Sequence, residues 1–252
     1  MNNCWCLLLA SCISHFASLI LHLASCILLV ASCFLLVASC FLLVACDDED
    51  IERRYTDYRT DIVTYQGDDG GGAQFELLRR DDSTSVMLLS NVRLDKVKQG
   101  QRVLLRYDWA NTGETGGIRH ILAYGVGAIV SDSLRYTVKP LAEYLGQMEP
   151  VKLLSIWRTG GYVNLRCQAE YTGKSRHFYL LLDSATVRQD TVHCYLVNNT
   201  HGDTTYHWRE AYASFYVGNA WNSPNCRTMR IHINDEAHGG MTTYDFNKSR
   251  AS

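Results

Sequence analysis

Val163-Asn164-Leu165-Arg166-Cys167-Gln168-Ala169-Glu170 alternates apolar and polar side chains without a break. In an extended chain successive side chains point to opposite faces. Val163, Leu165, Cys167 and Ala169 therefore share one face, and the four polar residues share the other. The same period returns in Phe178-Leu180-Leu182, Val192-Cys194-Leu196 and Met229-Ile231-Ile233, and residues 212–217 add a further strand. Residues 198–203 form a polar turn between two of these runs. Short strands with one apolar face each, separated by closely spaced turns, predict an antiparallel β-sandwich over residues 140–248.

Working back from there, Lys139-Pro140 stops the chain, residues 141–145 read as one helical turn, and residues 146–150 as a linker-like bend. The domain boundary is placed at this point. Before it, alternation starts near Arg59 and runs through Ile62, Val63 and Tyr65 into Gly67-Asp68-Asp69-Gly70-Gly71-Gly72. That stretch is a turn, and residues 73–78 return as the second arm of a hairpin. The three glycines lack the Lys-Ser/Thr pair of a phosphate loop, so they read as a flexible hairpin loop. Val86-Met87-Leu88-Leu89, Arg102-Val103-Leu104-Leu105-Arg106-Tyr107 and residues 118–130 follow as strands. Gly125 and Gly127 mark bulges or a tight bend. With Leu134-Arg135-Tyr136-Thr137-Val138 as the last, five or six strands fall within residues 59–139, a count that suits a small closed barrel of the OB type. The predicted fold class is all-β, a barrel followed by a sandwich.

Residues 1–45 are of another kind. They carry no Lys, Arg, Asp or Glu, and Ala10, Ala17, Ala24, Ala31, Ala38 and Ala45 stand seven apart. Leu-Leu-Val-Ala-Ser-Cys-Phe occurs at 28–34 and again at 35–41. No charged flanking positions accompany this period, which excludes a coiled coil and leaves a short tandem duplication inside an apolar leader. Leu43-Val44-Ala45-Cys46 has the form of a lipobox, where a signal peptidase cuts before a cysteine that then carries acyl chains such as palmitate. Asp47, Asp48, Glu49 and Asp50 follow at once. The sequence thus predicts a signal segment over 1–45, lipidation at Cys46 and an acidic tether over 46–58. An uncleaved membrane-spanning helix is the alternative, because about 20 apolar residues suffice to span a bilayer.

Removal of 45 residues from 252 leaves 207 that hold all 24 basic and all 26 acidic side chains. This near-neutral balance gives no clustered basic surface for nucleic acid. Seven of the ten cysteines lie at or before Cys46, where they act as small apolar residues. Of the remaining Cys167, Cys194 and Cys226, the first two fall on inward faces. Buried free thiols are expected, with one disulfide as the alternative.

Cys46-Asp-Asp-Glu-Asp50, Gly100-Gln-Arg-Val-Leu-Leu-Arg-Tyr107, Val138-Lys139-Pro140 and Trp157-Arg-Thr-Gly-Gly-Tyr-Val-Asn-Leu165 together resemble the NigD-like lipoproteins of the Bacteroides group. The resemblance implies an OB domain followed by a β-sandwich behind a lipoprotein signal. It also implies a cell-envelope protein of the kind found with bacteriocin genes, without enzymatic activity and with no catalytic residues to assign. The acidic run after Cys46 looks like the surface-export signal of that bacterial group.

Other chemistry finds little footing. His201-Gly-Asp203 with His207, and His232 with Asp235 and His238, lack the spacing of a zinc site and read as surface histidines near turns. No Gly-x-Ser-x-Gly marks a hydrolase. Tyr107 and Trp109 form the candidate ligand platform, since OB barrels bind oligosaccharides over aromatic side chains; packing inside the barrel is the competing reading. The expectation is a non-enzymatic envelope lipoprotein at the outer membrane, working as an interaction module linked to bacteriocin production or protection. Its expected partners are the membrane, through lipid, and an envelope protein. The alternative is a surface glycan binder. No cofactor is expected.

Overall fold

The computed structural model describes residues 58–80, 84–171, 176–202 and 206–248. The leader, Cys46 and the acidic run lie outside the described residues. Among the described residues no helix is long and apolar enough to cross a membrane.

Five strands, β1 (Arg59–Asp69), β2 (Gly72–Leu77), β3 (Val86–Ser90), β4 (Arg102–Thr115) and β5 (Ile118–Ala128), close into a barrel in the order β1-β2-β3-β5-β4. The β3–β5 pairing is parallel and the others are antiparallel, which is the OB arrangement. Inward positions carry Val63, Phe75, Leu88, Val103, Leu105 and Ile121, each at most 2% exposed. The register of β4 against β5 shifts after Arg106↔Gly125, so that Tyr107 pairs with Ala123 and Tyr124 is left over as a bulge. The bulge anticipated from the glycines is therefore present.

Two sheets follow. One has the order β6-β12-β9-β8 and the other β14-β13-β11-β10-β7. Their strands are β6 (Val130–Ser133), β7 (Arg135–Tyr136), β8 (Lys152–Thr159), β9 (Tyr162–Tyr171), β10 (His177–Leu182), β11 (Thr191–Asn199), β12 (His207–Tyr216), β13 (Thr228–Asp235) and β14 (Gly240–Asn247). The alternation at 163–170 holds: Val163, Leu165, Cys167 and Ala169 are buried against Leu180, Leu182, Cys194, Leu196, Ile231 and Ile233. Cys167, Cys194 and Cys226 are free and buried, and burial pushes the Cys167 thiol up to about 12. A short helix, α1 (Ala142–Leu145), stands where one turn was predicted; Leu141, Tyr144 and Met148 cover Tyr179, Leu181 and Val197 on the outer face of the second sheet.

Two expectations change. The run 134–138 is not the last barrel strand: β7 pairs in parallel with β10 at Leu181↔Arg135 and Leu182↔Tyr136, and β6 pairs in parallel with β12. A chain arriving from a closed barrel finds no free barrel edge, whereas each sandwich sheet still offers one. The sandwich is thus mixed rather than purely antiparallel, β11 and β13 forming a third parallel pair. The second change concerns the 67–72 turn. Gly70 and Gly71 form its tip, but Gly72 is buried at φ +148°, with the carbonyl oxygen of Ser90 where a Cβ would be. Gly72 is a packing requirement and not a flexible spacer.

Candidate functional site

Barrel and sandwich meet through Arg102. Its side chain points outward from β4 yet is only 2% exposed. It donates to Thr64 Oγ1 at 3.0 Å and the Ile62 carbonyl at 3.3 Å within the barrel. It also donates to Ser214 Oγ and Asn164 Oδ1, both at 3.2 Å, in the sandwich. Its guanidinium carbon lies 4.5 Å from the centre of the Tyr162 ring. Ser214 Oγ donates to Asn164 Oδ1 at 2.8 Å, and Asn164 Nδ2 donates to Thr159 Oγ1 at 2.9 Å, so the sandwich half of this network is itself cross-linked. Burial lowers the Arg102 guanidinium to about 10, still charged at neutral pH. Every partner is neutral. Leu78 against Gly160 and Arg80 over Trp157 extend the same junction.

The predicted platform residues lie at one mouth of the barrel. Tyr107 is 1% exposed in the barrel core, and its hydroxyl donates to Asp61 Oδ2 at 3.0 Å. Burial first, and the Asp61 carboxylate second, push its phenol pKa up. It meets Trp109 edge-on, with ring centroids 5.3 Å apart. Trp109 is half-buried above this core, and the guanidinium groups of Arg119 and Arg59 lie over its ring at 3.8 and 5.0 Å. The two platform residues are thus brought together, but Tyr107 is packed and the Trp109 ring is covered by cations. Trp109→Ala will lower stability by about 2–3 kcal/mol, less than a fully buried Trp would, because the side chain is only partly buried against the barrel core. Thermal unfolding checks this, and an unchanged Tm would mean that the ring packs on nothing.

On the outer barrel wall next to the junction is a cavity of about 240 Å³ lined by Leu104, Arg106, Gly125, Val126 and Gly127. Arg106 is exposed, its guanidinium 5.9 Å from the Tyr58 ring centre, and its charge reaches Glu210 of the neighbouring sandwich sheet, where Arg166 holds that carboxylate bidentately at 2.8 and 3.1 Å.

Among the described residues neither histidine group gathers into a metal-binding cluster. His232 Nε2 is 2.9 Å from Nδ1 of His193 and stacks on Tyr195, whereas His238 Nδ1 binds Asp235 Oδ2 at 2.7 Å. Asp235 also accepts from the Tyr244 hydroxyl and the amides of Leu153 and Ala237, a fully engaged structural carboxylate. His201 meets His177 edge-on, and Asp203 lies outside the described residues. Burial, with His193 and Arg230 adding to it, pushes His232 down to about 4. Among the described residues no three metal-binding side chains converge.

Residues 136–248 match the model of the NigD-like C-terminal β-sandwich domain. This C-terminal part of the chain is similar to the NigD-like proteins. Solved structures share this fold along nearly their whole length. A protein of unknown function from Bacteroides vulgatus has a TM-score of 0.62 at 14% identity, over 77% of this chain and 92% of its own. A NigD-like immunity protein from Bacteroides caccae has a TM-score of 0.54 at 19% identity, over 77% and 99%. A candidate lipoprotein from Bacteroides fragilis has a TM-score of 0.55 at 8% identity, over 78% and 100%. At such identities the likeness establishes the fold. No curated protein matches the sequence.

Sequence reading missed Arg59, Arg102, Arg106 and Arg119 as site residues. Arg102 and Arg106 stood in a run singled out as a strand, but nothing local to that run shows that a second domain covers one of them and leaves the other at a cleft.

Proposed function

We propose that this chain is a non-enzymatic, lipid-anchored envelope protein whose two-domain body binds a partner protein, in protection against a bacteriocin. The observation that carries the reading is the barrel end. There Trp109, Arg59 and Arg119 gather at the mouth and Arg106 stands at the cleft on the outer wall, all side-chain types suited to recognition rather than to proton transfer. The NigD-like immunity protein and the candidate lipoprotein of the same architecture support it. The glycan reading loses ground, because a sugar needs an open aromatic face and Trp109 offers a ring already stacked by guanidinium groups. Cys46 carries the lipid in this proposal, and Asp47, Asp48, Glu49 and Asp50 direct the body to the outer surface of the outer membrane.

Deleting the gene will raise susceptibility to the bacteriocin made by the parent strain at least ten-fold. The wild-type copy will restore protection, and Cys46→Ala will not, because without acyl chains the body leaves the membrane. Palmitate labelling will disappear from the Cys46→Ala protein. Unchanged susceptibility of the deletion strain rejects the protective role, and persistent labelling moves the anchor to another cysteine.

A further inference from the structure

The floor of the junction cleft is bare where the fold does not need it to be. Gly125 and Gly127 occupy outward positions of β5, paired with Arg106 and Leu104 of β4. Neither has φ in the left-handed range, so neither the bulge nor a turn requires glycine there. A Cβ on Gly125 would meet no atom within 4 Å, and one on Gly127 would touch Leu104 Cβ at 3.8 Å, an ordinary contact. Glycine inside a strand is also unfavourable for the chain, since it packs nothing and loses the most freedom on folding. The two glycines weaken β5 and leave behind the open volume of about 240 Å³.

Arg106 is the charged side chain that lines this volume, and the Glu210 carboxylate that its charge reaches is already held by Arg166. Arg106 stands on its wall, while Arg59 and Arg119 lie over Trp109 at the barrel mouth, on the interior-facing side of β1 and β5. Among the described residues none of the three forms an ion pair, while Arg135, Arg166 and Arg230 elsewhere are each matched to a carboxylate. An unpaired guanidinium beside a water-accessible cleft suits a carboxylate, which it can meet with two parallel hydrogen bonds. A bare strand surface admits the main chain of an extended segment more closely than any side-chain-covered strand would.

We infer that this cleft seats an extended acidic segment of a partner protein, its backbone lying over Gly125 and Gly127 and a carboxylate meeting Arg106. The inference rests on the reading of the chain as a binding protein and adds the chemistry of what is bound.

Fluorescein-labelled hexa-aspartate, followed by anisotropy with the full-length protein, tests it. Saturable binding is expected, weakened by 0.5 M NaCl as roughly a Debye length of 4 Å implies. Arg106→Gln will weaken it at least ten-fold, and Arg188→Gln, an exposed arginine of the sandwich, will not. Gly125→Val/Gly127→Val will also weaken it at least ten-fold while Tm stays within about 2 °C, since the new side chains enter open space. Gly125→Ala alone serves if the double variant folds poorly. Equal binding of hexa-lysine, undiminished binding by the glycine variants, or Arg106-dependent binding of inorganic phosphate or phosphatidylglycerol vesicles in place of hexa-aspartate would each overturn the inference. Bacteriocin protection without hexa-aspartate binding would overturn it too, while leaving the binding-protein reading in place.

Discussion

Arg102→Ala will lower the Tm of the folded body by about 10 °C, from a loss of about 3–4 kcal/mol at about 2–4 °C per kcal/mol for a body of this size. Two effects oppose each other at this residue. Burying a guanidinium with no carboxylate partner is costly, and truncation relieves that cost. Truncation also strips donors from Thr64 Oγ1, Ile62 O, Ser214 Oγ and Asn164 Oδ1, and leaves a void under Tyr162 at the centre of the junction. Each buried acceptor left without a donor costs about 1–3 kcal/mol, so the second effect wins. Arg102→Met keeps much of the volume and removes the charge, and will lose only about 1–2 kcal/mol, since a well-packed apolar replacement of a buried charge is often tolerated. Differential scanning calorimetry checks both. An Arg102→Ala protein melting within 2 °C of the parent would show that the junction holds without this side chain.

Gly72→Ala will have a comparable or larger effect, more than about 3 kcal/mol. At φ +148° an L side chain is strained, and its Cβ would stand 2.0 Å from the carbonyl oxygen of Ser90, a backbone atom that cannot swing aside. Relief requires β2 and β3 to separate at the point where Ala73 N donates to Val92 O at 2.6 Å. Gly70→Ala, two residues away with no atom within 4 Å of its Cβ, will change stability by less than about 0.5 kcal/mol. Urea unfolding of the pair reads the contrast directly. Equal midpoints would mean that the 67–72 turn is as loose as its composition suggests.

How much of this was legible in the sequence depended on whether the cause was local. The alternation at 163–170 is visible because one face meets the core while the other carries polar side chains, most of them toward water and Asn164 into the junction. Arg102–Tyr107 read as a strand for the same reason. The strands β6, Val-Ser-Asp-Ser, and β7, Arg-Tyr, carry no such period. They are strands because an exposed sheet edge accepts them, and that edge belongs to β12 or β10, far along the chain. Arg102 was unreadable in a similar way: a charged residue at an outward barrel position is normally solvated, and only the arrival of Asn164 and Ser214 from another domain buries it. At the barrel mouth the aromatic pair stood out by type. The arginines that change its chemistry come from β1 and β5 and converge on Trp109 only through the barrel's closure.

The connection between the two domains has no slack. Val130–Ser133 is sewn into one sheet and Arg135–Tyr136 into the other, with a single residue between them, and Arg102 pins the barrel from its own side. Proteins with hinged halves close over what they bind and must reopen to let it go, on a microsecond-to-millisecond clock. Here neither jaw can swing. For the proposed acidic segment, arrival would be set by diffusion and charge and departure by the breaking of contacts, with the same shape offered before it comes and after it leaves.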